Sequence, residues 1–348
     1  MTNSTLPEWF DYLEFVVNYA FMFGSAITIP LYAMEILILI SLRKSFYKGM
    51  FYQIFTIGIT VDMISLINNY VGCVFPAKGW FSGFYLSFGT FVGHMYLIIA
   101  WTSRGIQGCT VVALAMNRVT AVCLPIKHKR IWNSKRARFI HVFQLGLGLM
   151  VGSSLLTQSF YWKFEYNGFY IQFSDPVFRL RFFVAAYVIE TFLVLIIIIL
   201  NITMLICFKK KYKMMNNTSQ TGKRSIVSEK QRQENNLTTV AFLTCVAELI
   251  YYFYVVYVFG INTNVPTRVF YLLYETINDV YCGISGWLLL IYSKSMRNHI
   301  LKFLRFPAFG CRQMRAMIPE HQLSSATNLD GAGKNFSSRR PASCGTPC

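Results

Sequence analysis

Seven stretches of this chain stay apolar for about 20 residues or more, the length at which a helix rising 1.5 Å per residue crosses the roughly 30 Å hydrocarbon core of a bilayer. They lie near 20–42, 51–75, 92–118, 138–160, 181–208, 238–260 and 269–293. The fifth is the plainest, reading FLVLIIIILNITMLICF. Of 348 residues, 54% are hydrophobic and only 14% charged, with 31 Phe and 21 Tyr. A water-soluble core of this length does not absorb that many large apolar side chains. The expected fold is an all-α membrane protein, a bundle of seven transmembrane helices.

The 33 Lys and Arg orient the bundle. Counting Arg118, 27 of them fall in the loop at 43–48, the loop at 127–138, the loop at 209–232 and the segment after 293. Five lie on the other side (Lys78, Lys163, Arg179, Arg181 and Arg268), and Arg104 lies inside a span. The positive-inside rule therefore puts the N-terminus outside and the C-terminus in the cytoplasm. The net charge of +18 is a topology signal, reinforced by anionic lipid of the inner leaflet, and nucleic acid is not an expected partner. Glu8, Asp11 and Glu14 precede the first Lys or Arg, which is Arg43. A cleaved signal peptide is thus not expected, and the first span serves as its own insertion signal.

The expected organisation is an extracellular N-terminus (1–19), the seven-helix bundle (20–293), an amphipathic juxtamembrane helix (294–306) and a disordered tail (307–348) rich in Ser, Gly and Pro. The juxtamembrane helix places Met296, Ile300, Phe303 and Leu304 on one face among basic residues, a pattern for the lipid interface. Cys311 follows it as a candidate palmitoylation site. Asn3 begins a sequon on the outer side and is the candidate glycosylation site. The nine cysteines form no C-x-x-C pair and no metal spacing with His, so no disulfide framework and no metal site is expected.

One segment carries more than hydropathy. In LAMNRVTAVCLPIKHKRIW (114–132), Asn117 and Arg118 close the third span, and Pro125 opens a basic cluster. An arginine at a helix end can serve merely as an interfacial anchor. The spacing, however, resembles the Asp-Arg-Tyr region of rhodopsin-like G-protein-coupled receptors. Together with LLLIYSKSMRNHI (288–300), it resembles nematode serpentine chemoreceptors of the Srg superfamily, class V or class G being closest, over residues 20–305. That resemblance implies a small-molecule ligand, a heterotrimeric G protein as partner, and residence in the plasma membrane of sensory cells. It also implies an inner-face lock closed by Arg118, with Asn117 in place of the acidic neighbour. The chain departs from the rhodopsin-like pattern late in the seventh span, where Ser285-Gly286-Trp287-Leu288-Leu289 lacks Pro and Tyr. Gly286 is the candidate weak point there. The sixth span has no proline, and residues 161–180 contain no Cys for an outer disulfide.

Ionisable groups inside a bilayer are costly and mark function or packing. Glu35, Asp62, Arg104, Glu190, Glu248, Glu275 and Asp279 fall within the spans. Arg104 precedes Arg118 by 14 residues, about 21 Å up the same helix and within roughly 40° of the same face. Its expected partners are Asp279 or Glu275 on the seventh helix, or Glu248 on the sixth. Two readings stay open: a ligand competes for Arg104, or the ion pair is a permanent packing element. Trp101 and Gln107, one turn away, share both readings. Asp62 is either a polar or ion site coupled to activation or a carboxyl satisfied by its neighbours. The aromatics of LIYYFYVVYVF (249–259) read as an interfacial belt, with Tyr251, Tyr252 or Tyr254 as candidate pocket residues.

No H-E-x-x-H, P-loop or G-x-S-x-G motif is present, so neither catalysis nor a cofactor is expected. The competing class is a small polytopic transporter or channel with Arg104 and its acidic partners along the path. An odd number of spans without matched broken helices speaks against it.

Overall fold

The computed structural model describes residues 7–43, 47, 49–165, 168–218, 226–257 and 266–305. The helical bundle belongs to the first of two compact units, Met1–Ile300; of the second, Leu301–Cys348, the described residues only complete the last helix. The first three spans are α1 (Glu8–Ser41), α2 (Met50–Asn69) with α3 (Phe75–Ala77), and α5 (Phe91–Cys123). The remaining four are α7 (Ser134–Ser153), α8 (Pro176–Thr218), α9 (Ile226–Val256) and α10 (Thr267–Tyr292). Short helices α4 (Ser82–Ser87) and α6 (Pro125–Ile131) sit in loops, and α11 (Lys294–Arg305) follows the last span.

Five of these are long and apolar enough to span a membrane by their own composition: α1, α2 with α3, α5, α8 and α9. Lys135, Arg136 and Arg138 dilute α7, and Arg268, Glu275 and Asp279 dilute α10. α8 shows the lipid-facing side most plainly, with Val188, Phe192, Leu195, Ile199 and Ile202 exposed. α5 is the central strut, packed on α2, α7, α8 and α9.

Helix starts follow local chemistry. Asn133 accepts the Arg136 amide at 3.0 Å and caps α7. Asp175 Oδ1 accepts the Val177 amide at 2.8 Å just before Pro176 opens α8. Pro125 is the first residue of α6. α1 begins at Glu8, well before the apolar span. Glu8 and Asp11 favour its N-terminal dipole, and Glu14 reaches Lys78 and Arg268.

Three features depart from the sequence-based expectations. The fourth span ends at Ser153, and Phe160–Glu165 (β1) pairs antiparallel with Gly168–Phe173 (β2), Phe160 opposite Phe173. The outer loop is therefore a hairpin laid against α5 and α3. Residues 70–74 form a π turn between α2 and α3, where the Phe75 amide bonds back to the Tyr70 carbonyl. Among the nine cysteines, for which no disulfide was expected, Cys123 and Cys207 are paired with their Cα atoms 5.7 Å apart. Their 84-residue separation carried no signal; the packing of α5 on α8 brings them together.

α7 docks closely on α5 through small residues. A Cβ on Gly152 would lie 1.9 Å from Thr102 Oγ1, and one on Gly148 would lie 2.5 Å from the Thr102 carbonyl oxygen. The spacing is Gly-x-x-x-Gly, which lets membrane helices approach backbone to backbone. In α11, Met296 and Ile300 are buried and Leu304 is exposed, and Ser293 Oγ accepts the Met296 amide at 3.2 Å.

Candidate functional site

Polar residues form a ladder down the inside of the bundle, and each rung joins different helices. At the inner end, Arg118 is 4% exposed. Its Nη1 donates to Glu234 Oε2 of α9 at 3.2 Å, and Nη2 donates to Asn117 Oδ1 at 2.7 Å. Its guanidinium lies 4.5 Å from the Phe51 ring centre of α2. Arg118 is thus a buried link between α2, α5 and α9 rather than a snorkelling anchor. Asn117 is fully buried and spends its carbonyl on the arginine beside it.

Below it, Thr120 Oγ1 accepts from Trp132 Nε1 at 2.7 Å and lies 3.1 Å from His128 Nδ1. These contacts tie α6, opened by Pro125, to the base of α5. Partial burial, and then the nearby Arg118 charge, push the His128 pKa below its ordinary value.

Midway, Gln107 Nε2 donates to Asp62 Oδ1 at 2.8 Å. Both line a cavity of about 20 Å³ with Thr110, Thr244, Tyr281 and Ser285, room for a single water. Gln107 therefore belongs with Asp62, not with Arg104.

Arg104 is held by two carboxylates. Its Nε donates to Glu190 Oε2 at 3.3 Å and its Nη1 to Glu248 Oε2 at 3.3 Å, while Nη2 bridges the other oxygen of each. The guanidinium stacks 4.0 Å from the Tyr251 ring centre and 4.9 Å from that of Tyr281. Tyr281 also donates to Glu248 Oε2 at 2.5 Å. The expected partner Glu248 is present; Asp279 and Glu275 are not partners. Glu190 replaces them because α8, not α10, presents its carboxylate to this face of α5. An isolated carboxylate in the most apolar span was the signal that could have identified it.

Asp279 instead accepts from Tyr70 Oη, from Ser25 Oγ at 3.4 Å and from Asn69 Nδ2 at 3.4 Å. Glu275, one turn nearer the outer surface, has the Cys73 thiol 4.0 Å away. The π turn at Tyr70–Val74 adds a residue to the turn at the point where Tyr70 and Cys73 face α10.

Trp101 packs edge-on against Phe182 and Phe183 in an outer apolar cluster and does not reach the Arg104 group. Tyr252 faces α8, its hydroxyl 3.0 Å from Thr191 Oγ1. Gly286 is a close-approach position: a Cβ there would lie 2.1 Å from the Tyr32 ring, and its amide donates to Tyr32 Oη at 3.2 Å. Its lack of a side chain lets α1 and α10 touch. Asn3 and Cys311 lie outside the described residues.

The fold is similar to that of squid rhodopsin, with a TM-score of 0.66 and 12% identity, covering 96% of this chain and 93% of that one. No curated protein matches the chain in sequence. Residues 21–306 match the family described as serpentine type 7TM GPCR chemoreceptor Srv, which agrees with class V and is a receptor family rather than an enzyme family. The chain is a multi-pass membrane protein and belongs to the Srv family of serpentine seven-transmembrane chemoreceptors of the G-protein-coupled type.

Proposed function

We propose that this receptor sits in the plasma membrane of sensory cells, binds a small molecule among its outer helix ends and couples to a heterotrimeric G protein at its inner face. In this reading the chain falls within the wider Srg grouping, and its ligand approaches the outer ends of α2 and α10, near Glu275 and Asp279. Arg104 with Glu248, and Gln107 with Asp62, lie deeper in the bundle than that entry, while Trp101 and Tyr252 face α8. Asp62 and Gly286 lie on the route from the outer to the inner end, with Asn117, Arg118 and Pro125 at the G-protein side. The N-terminal segment with Asn3 carries glycan outside, and Cys311 carries a lipid at the inner surface.

The observation that carries this reading is the Arg118–Glu234 contact, which joins α5 to α9 where a cytoplasmic partner would enter. Ligand acts by binding better to the state in which that contact is open, since it can shift the equilibrium only by its differential affinity. The test is ligand-evoked G-protein dissociation in cells, wild type against Arg118→Ala, with surface expression measured in both. A response lost in the variant supports the assignment. A response that survives makes Arg118 a packing element only, and substrate flux through vesicles carrying the protein would bring back a transporter.

A further inference from the structure

The bundle interior carries an uneven charge load. Arg104 is taken by Glu190 and Glu248, leaving Glu35, Asp62, Glu275 and Asp279 inside the spans. Glu275 is 7% exposed and Asp279 6%, and neither joins an ion pair among the described residues. Lys78, whose charge reaches Glu275, is itself bound to Glu14 at 2.6 Å. Among the described residues, no Lys or Arg is paired with either carboxylate.

A second observation concerns hydrogen bonding. Asn69 is 2% exposed and turns its amide into the same space, with Nδ2 lying 3.4 Å from Asp279 Oδ1. The other end of that amide, Oδ1, has no donor among the described residues. The region thus holds two carboxylates without a paired cation among the described residues, and one buried carbonyl without a donor. An ammonium group has three donors and no acceptor. Tyr170 of the hairpin and Tyr271 of α10, one turn before Glu275, hold their rings 4.5 Å apart on this outer side. Deeper in the bundle the protein already holds a cation this way, with Arg104 between two carboxylates and over two tyrosine faces.

We propose that the outer site between α2 and α10 takes the ammonium head of an organic cation, with Glu275 as its counter-charge and Asn69 Oδ1 as a neutral acceptor. This names the ligand class for the receptor reading above and rests on it for biological meaning, but the binding can be measured without signalling. The purified full chain in detergent is melted with about 20 mM n-butylammonium chloride, and separately with equal sodium chloride and equal 1-butanol. The expected result is a midpoint raised by about 2 °C or more by the amine alone. Glu275→Gln removes the rise, Asn69→Leu at least halves it, and Asp175→Asn, an outer acid away from the site, leaves it intact. No rise in the wild type, an equal rise with sodium or butanol, or a rise undiminished in Glu275→Gln overturns the proposal. If Glu275→Gln does not fold, an undiminished rise in Asn69→Leu does the same. Amine stabilisation without G-protein coupling refutes the receptor reading alone, whereas coupling driven by a neutral ligand without amine stabilisation refutes only this one.

Discussion

Replacing Glu234 by Gln removes the charge that holds Arg118 to α9 while keeping the side chain's size. The contact is a single hydrogen bond of 3.2 Å, and the Glu234 side chain is 51% exposed whereas that of Arg118 is 5% exposed. Solvent at the glutamate end screens the pair, so its worth is that of a half-exposed ion pair, about 0.5–1 kcal/mol, not that of a buried one. If the contact exists only in the resting state, its loss shifts the resting-to-active equilibrium by about two- to fivefold. Arg118 keeps its bond to Asn117 and its place over Phe51, so it remains ordered for coupling. The assay is ligand-free G-protein dissociation in cells, normalised to surface receptor. Basal signal should rise about two- to fivefold over the wild type in Glu234→Gln and vanish in Arg118→Ala. Unchanged or lower basal signal in Glu234→Gln would refute the lock. A rise far above tenfold would refute the reasoning about its exposure.

Three further outcomes follow from other parts of the molecule. Arg104→Met leaves Glu190 and Glu248 buried without their cation and should cost about 3–5 kcal/mol, read as a large drop in detergent melting temperature. The triple change Arg104→Met, Glu190→Leu and Glu248→Leu should recover most of it, and failure to recover would mean the charges do more than compensate one another. Gly152→Leu drives a side chain into Thr102, where even a Cβ would meet Oγ1 at 1.9 Å, and should cost about 1–3 kcal/mol with reduced surface expression. Normal expression would mean α7 does not dock on α5 as described. For His128, the folded-state pKa is lowered, so its contribution to stability is present above the unfolded value of about 6.5 and is lost as pH falls through the lower folded value. Amide exchange across 125–132, corrected for its intrinsic pH dependence, should show less protection at acid pH, and His128→Gln should flatten that change.

The helix count was legible in one dimension because bilayer thickness converts directly into a run of apolar residues. The orientation was legible because Lys and Arg are sorted by side, and Arg118 stood out as a charge where such a run ends. α7 and α10 show where composition falls short: Gly148, Gly152, Glu275 and Asp279 lower their hydropathy, yet those residues set the packing on α5 and the polar contacts with α2.

Partnerships could not be read the same way. Sequence spacing placed Arg104 at the right depth and named Glu248, but the choice of Glu190 over Asp279 and Glu275 depends on how α8 and α10 are rotated about their axes. The π turn at Tyr70–Val74, the Cys123–Cys207 pair and the contact of Gly286 with Tyr32 arise from the same source. What the sequence determined alone was the membrane class, the direction of the chain and the cost of each buried charge, because those depend on single residues and on the solvent. Which charge meets which partner, and which carboxylates stay free of a cation, was decided only by tertiary packing, because a pair energy depends on two helices arriving at one point.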